Sequence, residues 1–274
     1  MKTSIKYLLV YFALTLLGAM ILVFPAVIMG MVTSSAPIDP NGIDLSPWVM
    51  SMIMVGSQLL PLFVFWKKKW SDFSWLRNQK YARLFLCLIV GWIGCLCINS
   101  TIAEYMPRYD WDYEILGSIE TMQHNVLGII AACVLAPLVE EGVFRGAIER
   151  KLLEKNWNPW WAIVISATIF ALVHMNLTQG LIAMILGLFL GWIYYRTRNL
   201  WLCVFVHALN NTFSTVCALT IGDVGDSGFG LSLPVNLLIL VAGAIVVYVA
   251  ARLLVKNISE RPLAATPPPI PEID

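Results

Sequence analysis

Eight stretches long and apolar enough to be membrane helices constrain this chain more than any other feature. A transmembrane helix needs about 20 mostly apolar residues to cross a hydrocarbon core of about 30 Å. Such runs occupy roughly 5–32, 48–66, 84–103, 122–145, 160–176, 179–195, 200–221 and 231–254. Composition agrees: 59% hydrophobic, mean hydropathy +0.76, and 13% charged residues where a soluble domain carries about 25%. The expected fold class is an all-α integral membrane protein with about eight transmembrane helices. A net charge of +1 offers no basic field for nucleic acid. The six cysteines all lie in apolar runs, with no C-x-x-C pair and no ligand spacing, and read as small buried hydrophobes.

Orientation follows from the asymmetry of Lys and Arg between loops. With both termini cytoplasmic and eight crossings, 17 of the 18 basic residues fall inside, Lys67, Arg150, Lys155, Arg198 and Lys256 among them. Arg108 alone falls outside, alongside Asp39, Asp44, Asp110, Asp112, Glu114, Asp223 and Asp226. The first run follows Lys2 and Lys6 as a secretory leader would. It is much longer than a leader's core of roughly 7–15 residues, and no small-x-small site follows, so a retained anchor is expected. Thr266-Pro267-Pro268-Pro269-Ile270-Pro271 reads as a short extended cytoplasmic tail. The expected division is 1–118 for the first three helices, 119–222 for a catalytic core of helices four to seven, and 223–274 for the last helix and tail.

Polar groups inside these runs point to chemistry, because an ionisable group at bilayer depth costs several kcal/mol unless paired or functional. Three patterns stand out: Glu140-Glu141-x-x-x-Arg145, Phe170-x-x-x-His174 and His207-x-x-x-Asn211. Glu141 and Arg145 share a helical face at i,i+4 and can pair. His207 and Asn211 share one likewise, while Glu140 points about 100° away from Glu141. With a hairpin turn near residue 157, Glu140 lies 17 residues before it and His174 17 after, at one height on antiparallel helices. His207 is 9 residues beyond Arg198, at similar depth. The stretch from Glu149 to Lys155 is expected to protrude into the cytoplasm, and Pro159 to open the returning helix. Gly142 and Gly146 keep the fourth helix thin, so that neighbours or substrate come close.

Two hydrolytic arrangements fit these groups. Glu140, helped by His174, would activate a water while His207 and Asn211 donate to a developing oxyanion. Alternatively Glu140, His174 and His207 would hold a divalent metal, zinc by the two-His, one-Glu ligand set. No nucleophilic-serine elbow and no phosphate-binding loop is present.

In this order and setting, the motifs resemble those of the CAAX prenyl protease type II and bacteriocin-processing (Abi) family of intramembrane proteases. The likeness spans about 120–220, through Glu140-Glu141-Gly142-Val143-Phe144-Arg145-Gly146, Phe170-Ala171-Leu172-Val173-His174 and His207-Ala208-Leu209-Asn210-Asn211. It implies an endopeptidase with Glu140, His174, His207 and Asn211 catalytic and Glu141 and Arg145 shaping the site. It leaves metal-dependent and metal-free mechanisms both open. The implied partners are the lipid bilayer and a peptide or membrane-protein substrate cut near the cytoplasmic side, in a bacterial plasma membrane. Maturation of a leader peptide and immunity to a bacteriocin are both open roles.

Plainer readings stand beside these. Glu141–Arg145 is a packing ion pair as readily as a chemical one, and Phe170 reads as core. His124 reads as interfacial, and Trp160, Trp161, Trp192 and Trp201 as an aromatic belt near helix ends. Asn176, Thr178 and Gln179 suggest a turn at membrane depth, tolerable only beside a polar cavity. A non-catalytic scaffold or immunity protein, or a small proton-coupled transporter, would use the same buried polar groups differently. The transporter reading lacks paired broken helices in two matching halves.

Overall fold

The computed structural model of the chain describes residues 2–33, 46–73, 81–107, 121–221 and 231–258, with Tyr109 and Gly117 besides. The outer acidic residues Asp39, Asp44, Asp110, Asp112, Glu114, Asp223 and Asp226, the basic Arg77, Lys80, Arg108 and Arg261, and the proline tail lie outside the described residues.

Among the described residues, eight apolar helices follow one another: α1 (Lys2–Thr33), α2 (Pro47–Lys67), α3 (Tyr81–Tyr105), α4 (Val126–Glu154), α5 (Pro159–Leu172), α6 (Leu177–Thr197), α7 (Leu200–Ile221) and α8 (Leu233–Asn257). Among the described residues there is no strand. Seven are long and apolar enough to cross a membrane, and α5, at 14 residues, is the exception. At 1.5 Å per residue α5 rises about 21 Å, short of the roughly 30 Å of hydrocarbon. The apolar run expected to 176 stops early because Asn176 caps α6, accepting from the Gln179 amide at 2.7 Å. Met175, at φ 54°, makes the reversal between the two helices. Pro159 does open α5, with Asn158 accepting the Trp160 amide at 2.9 Å.

α4 is not a regular α-helix. It carries π-helical stretches at Ala131–Leu135 and Gly142–Glu149. The first has a local cause: Pro137 offers no amide hydrogen, and its ring opposes the carbonyl of Cys133, so the ladder widens before it. Carbonyls in both wide stretches accept side-chain donors from other segments. Ser71 Oγ donates to Gly142 at 2.6 Å, Ser166 Oγ to Phe144 at 2.9 Å, and Asn211 Nδ2 to Ala132 at 2.9 Å. The helix starts at 126 rather than 122 because Asn125 caps it, accepting from the Gly128 amide at 3.0 Å and donating to Ser51 of α2 at 2.9 Å.

Two packed cores flank the centre of the bundle. Tyr7, Phe65, Val143, Phe144 and Phe170 form one, from α1, α2, α4 and α5. Leu88, Trp92, Leu190 and Val206 anchor the other, from α3, α6 and α7, with Leu254 of α8. Glycines set the closest helix approaches. A Cβ on Gly243 of α8 would stand 2.8 Å from the Gly94 carbonyl oxygen of α3, and one on Gly187 of α6 3.2 Å from the Ala167 Cβ of α5. Leucines such as Leu16 and Leu238 face outward at 65% and 70% exposure, as a lipid-facing surface requires. Trp160 and Trp161 are likewise exposed, in keeping with belt positions. Trp201 differs: its indole N–H donates to the Phe73 carbonyl at 2.7 Å, bracing the segment after α2.

Gly243→Leu should force α3 and α8 apart and cost about 1–3 kcal/mol, as overpacking does. Leu238→Ala, on the lipid-facing side, should leave thermal unfolding in detergent unchanged.

Candidate active site

The half of α4 toward Glu154 is buried without interruption from Glu141 to Lys151. The stretch from Glu149 was expected to protrude; instead Glu149 is fully buried and Arg150 and Lys151 nearly so. The cause is cover from several sides: α1 packs on the second π stretch, Ser71 and Phe73 press against Gly142, and Ser71 lies against Gly146 too. Those glycines therefore admit a chain segment rather than a substrate.

Within this half a column of charge runs up one face of the helix. Arg145 donates to Glu141 Oε1 at 2.9 Å and to the Gly187 carbonyl of α6 at 3.0 Å. Its guanidinium carbon lies 4.7 Å from the centre of the Phe170 ring, in cation–π contact. Glu141 Oε1 also meets His207 Nδ1 of α7 at 2.8 Å. The expected Glu141–Arg145 pair thus forms, and it does more than pair, because it anchors His207. Glu149, one turn further, sits against Gly191, and neither of its oxygens has a hydrogen-bond partner.

Glu140 has a different environment. Its side chain keeps 20% of its surface while that of Glu141 keeps none, so it is the accessible member of the pair. His207 Nε2 stands 3.6 Å from Glu140 Oε2, which places the imidazole between the two carboxylates. His174 lies on the turn just past α5, and its Nδ1 is 2.8 Å from the Phe170 carbonyl. That carbonyl only accepts, so Nδ1 carries the hydrogen, and in the neutral ring Nε2 is then the acceptor. Phe170 stacks edge-on against both rings, with centroids 5.0 Å from His174 and 5.6 Å from His207. Asn211 spends one amide hydrogen on Ala132 and has a second to give.

All four expected catalytic residues line one cavity of about 520 Å³, between α2, α3, α4, α6 and α7 and the α5–α6 turn. Asn176, Thr178 and Gln179 line it too, so the turn short of the membrane surface does border a partly polar space. Sequence reasoning passed over Gln123, Asn210, Ser214 and Thr215, which face the same cavity from helix positions that carry no motif. His124 is exposed, as an interfacial residue would be.

Among the described residues, no three His, Cys, Asp or Glu side chains converge closely enough to hold a metal ion. His207 turns its Nδ1 to Glu141 and His174 its Nδ1 to Phe170, which leaves Nε2 of each as the nitrogen a metal-ligating imidazole would use. What the site lacks for zinc is convergence: Glu140, His174 and His207 as placed do not form a closed ligand group.

With this geometry in view, comparison with known proteins is informative. Residues 122–213 match the family described as type II CAAX prenyl endopeptidase Rce1-like. The helical core of the chain, about a third of its length, is similar to that family. All three motifs lie inside the matched segment, so the resemblance read from them is borne out. A Bacillus subtilis (strain 168) protein named "Putative membrane peptidase YdiL" is 34% identical over 101 residues. That alignment covers 37% of this chain and 41% of the Bacillus protein, so the chain spans well under half of its relative. No solved structure matches. Together with the seven membrane-length helices, these findings make the chain an integral membrane protein whose core resembles the Rce1-like family, and the Bacillus relative is in keeping with a bacterial plasma membrane.

Replacing Arg145 with Met should lower stability by about 3–5 kcal/mol, because Glu141 would be left buried without its counter-charge. Arg145→Lys should fall between, since an ammonium cannot reproduce the forked contact to Glu141 and Gly187. Denaturant unfolding of the purified protein in detergent measures both.

Proposed function

We propose that the chain is an intramembrane endopeptidase in which Glu140 and His174 activate a water and His207 and Asn211 hold the oxyanion. The observation that carries this reading is the contrast between adjacent carboxylates. Glu141 is locked by Arg145 and His207, while Glu140 faces a cavity shared with the free nitrogen of His174. One carboxylate builds the site and the other is available for chemistry.

In the proposed reaction, water gives a proton to Glu140 as its oxygen adds to the carbonyl carbon of the scissile peptide. His174, with Nε2 free to accept, orients that water. The oxygen of the tetrahedral intermediate lies against His207 Nε2, when that ring carries both hydrogens, and the uncommitted amide hydrogen of Asn211. Collapse then breaks the C–N bond, and the proton held by Glu140 passes to the departing amine. Because the three potential ligands do not converge, no step is routed through a metal. The cavity wall mixes amides and hydroxyls with apolar groups, which suits an extended peptide backbone with hydrophobic side chains.

A competing reading, a polar packing core without turnover, draws on His174 and Asn211 each being bonded to a backbone carbonyl. Substitution separates the two. Glu140→Gln keeps shape and removes the base, so peptide ends generated by the wild type should fall by about 10²–10⁴-fold, the usual worth of a general base. The measurement is terminal-peptide proteomics on membranes holding equal amounts of each protein. Identical ends in both would move the weight to the packing core. A zinc chelator should leave the wild-type ends intact, and their loss would restore the metal reading.

A further inference from the structure

We infer that water and substrate reach Glu140 from the non-cytoplasmic half of the bilayer, so that the peptides it cuts are presented from the outer side of the membrane. The inference rests on the peptidase reading and reverses the side expected from the sequence, where a cut near the cytoplasmic face was read. The route itself rests on geometry.

Glu140 is the midpoint of α4, with about 21 Å of helix on either side. The two halves differ in kind. Toward Glu154 every residue from Glu141 to Lys151 is buried, and the spaces that glycines leave are filled by Ser71, Phe73 and the Glu149 carboxylate. That end is sealed among the described residues. Toward Val126 the cavity continues instead. Its wall descends α4 through Ala136 and Ala132 and on to Gln123 just before that helix, climbs α7 to Ser214 and Thr215, and takes in Gln179 beside the α5–α6 turn. Numbers fall on α4 and rise on α7, which run antiparallel, so both trace the same direction away from Glu140.

Charge fixes which direction that is. Lys67, Arg150, Lys155, Arg198 and Lys256 all stand at the sealed end, at or beyond the ends of α2, α4, α6 and α8. Concentration of Lys and Arg beside membrane helices marks the cytoplasmic side. The hollow end is then the outer one. The short α5 supports this independently. It begins at Pro159 at the basic end and stops after about 21 Å, and its polar turn at bilayer depth needs water or protein to satisfy its backbone. The cavity against that turn provides such a space. A substrate segment entering from the cytoplasm would instead have to displace the packed Glu141–Arg145–Glu149 column.

Cysteine accessibility in the full-length protein tests the route without reading turnover. Gln179→Cys and Ser214→Cys would be treated with a charged, membrane-impermeant methanethiosulfonate in right-side-out and in inverted membrane vesicles. Lys155→Cys marks the basic end, and the parent chain gives the background from the native cysteines. Both cavity positions should be modified at least an order of magnitude faster in right-side-out vesicles, with Lys155→Cys showing the reverse preference. Faster modification of both cavity positions from the inverted side would overturn the inference. So would no modification from either side, or Lys155→Cys reacting from the outside. The same ratios measured in a Glu140→Gln background keep this result apart from the peptidase reading, since loss of turnover alone would leave them unchanged.

Discussion

One carboxylate oxygen holds the centre of this protein together. Glu141 Oε1 accepts from Arg145 of its own helix and meets His207 of α7, and Arg145 passes a second hydrogen bond to the Gly187 carbonyl of α6. Three helices are therefore joined through one buried ion pair and its imidazole. Charges withdrawn from water cost several kcal/mol each unless attraction and hydrogen bonds are near ideal. The arrangement meets that demand with a forked guanidinium, an aromatic face and an imidazole hydrogen. Because Glu141 is consumed in this way, Glu140 beside it is not. The site thus inherits its asymmetry from two adjacent residues, one turned into the packed column and one into the cavity.

The backbone of α4 makes that division possible. Wide π turns are rare and recur at functional sites, and here two of them bracket the carboxylate pair. Pro137 accounts for the first; the second begins at Gly142, where Ser71 caps the carbonyl and the Phe73 ring crowds the place of a side chain. The carbonyls of the widened turns serve as anchor points for Ser71, Ser166 and Asn211. Asn211 is therefore partly a structural residue, fixing α7 to α4 one turn from His207, whatever its second amide hydrogen does.

Much of this was legible in the chain. Eight apolar runs became eight helices, and the i,i+4 spacing of Glu141 and Arg145 became an ion pair, because local periodicity alone governs both. The symmetric placement of Glu140 and His174 about the 154–159 turn brought them to one cavity by helical rise. What stayed hidden depends on partners distant in sequence. Nothing local shows that Glu149 is covered by α6, that Phe170 lies between two imidazoles and a guanidinium, or that His207 takes Glu141 as well as facing Glu140. Pro137 was the one local sign of irregular backbone. The shortness of α5 was foreshadowed by Asn176, whose role as a cap ends an apolar run that hydropathy alone would extend.

A hydrolase inside a bilayer has to reconcile two demands, an apolar exterior and a supply of water at the reacting bond. The described bundle separates them by level rather than by layer. Its basic half is filled with side chains and glycine-tight contacts, which gives the charged column a rigid, dry setting where each electrostatic contact is strong. Its other half gives up packing for a partly polar hollow, and α5 stops short where that hollow begins. The packed column behind the carboxylate pair and the hollow in front of it place the sharpest change of environment at Glu140. A proposed base that must take a proton from water, yet be held by a frame water does not soften, belongs at that boundary.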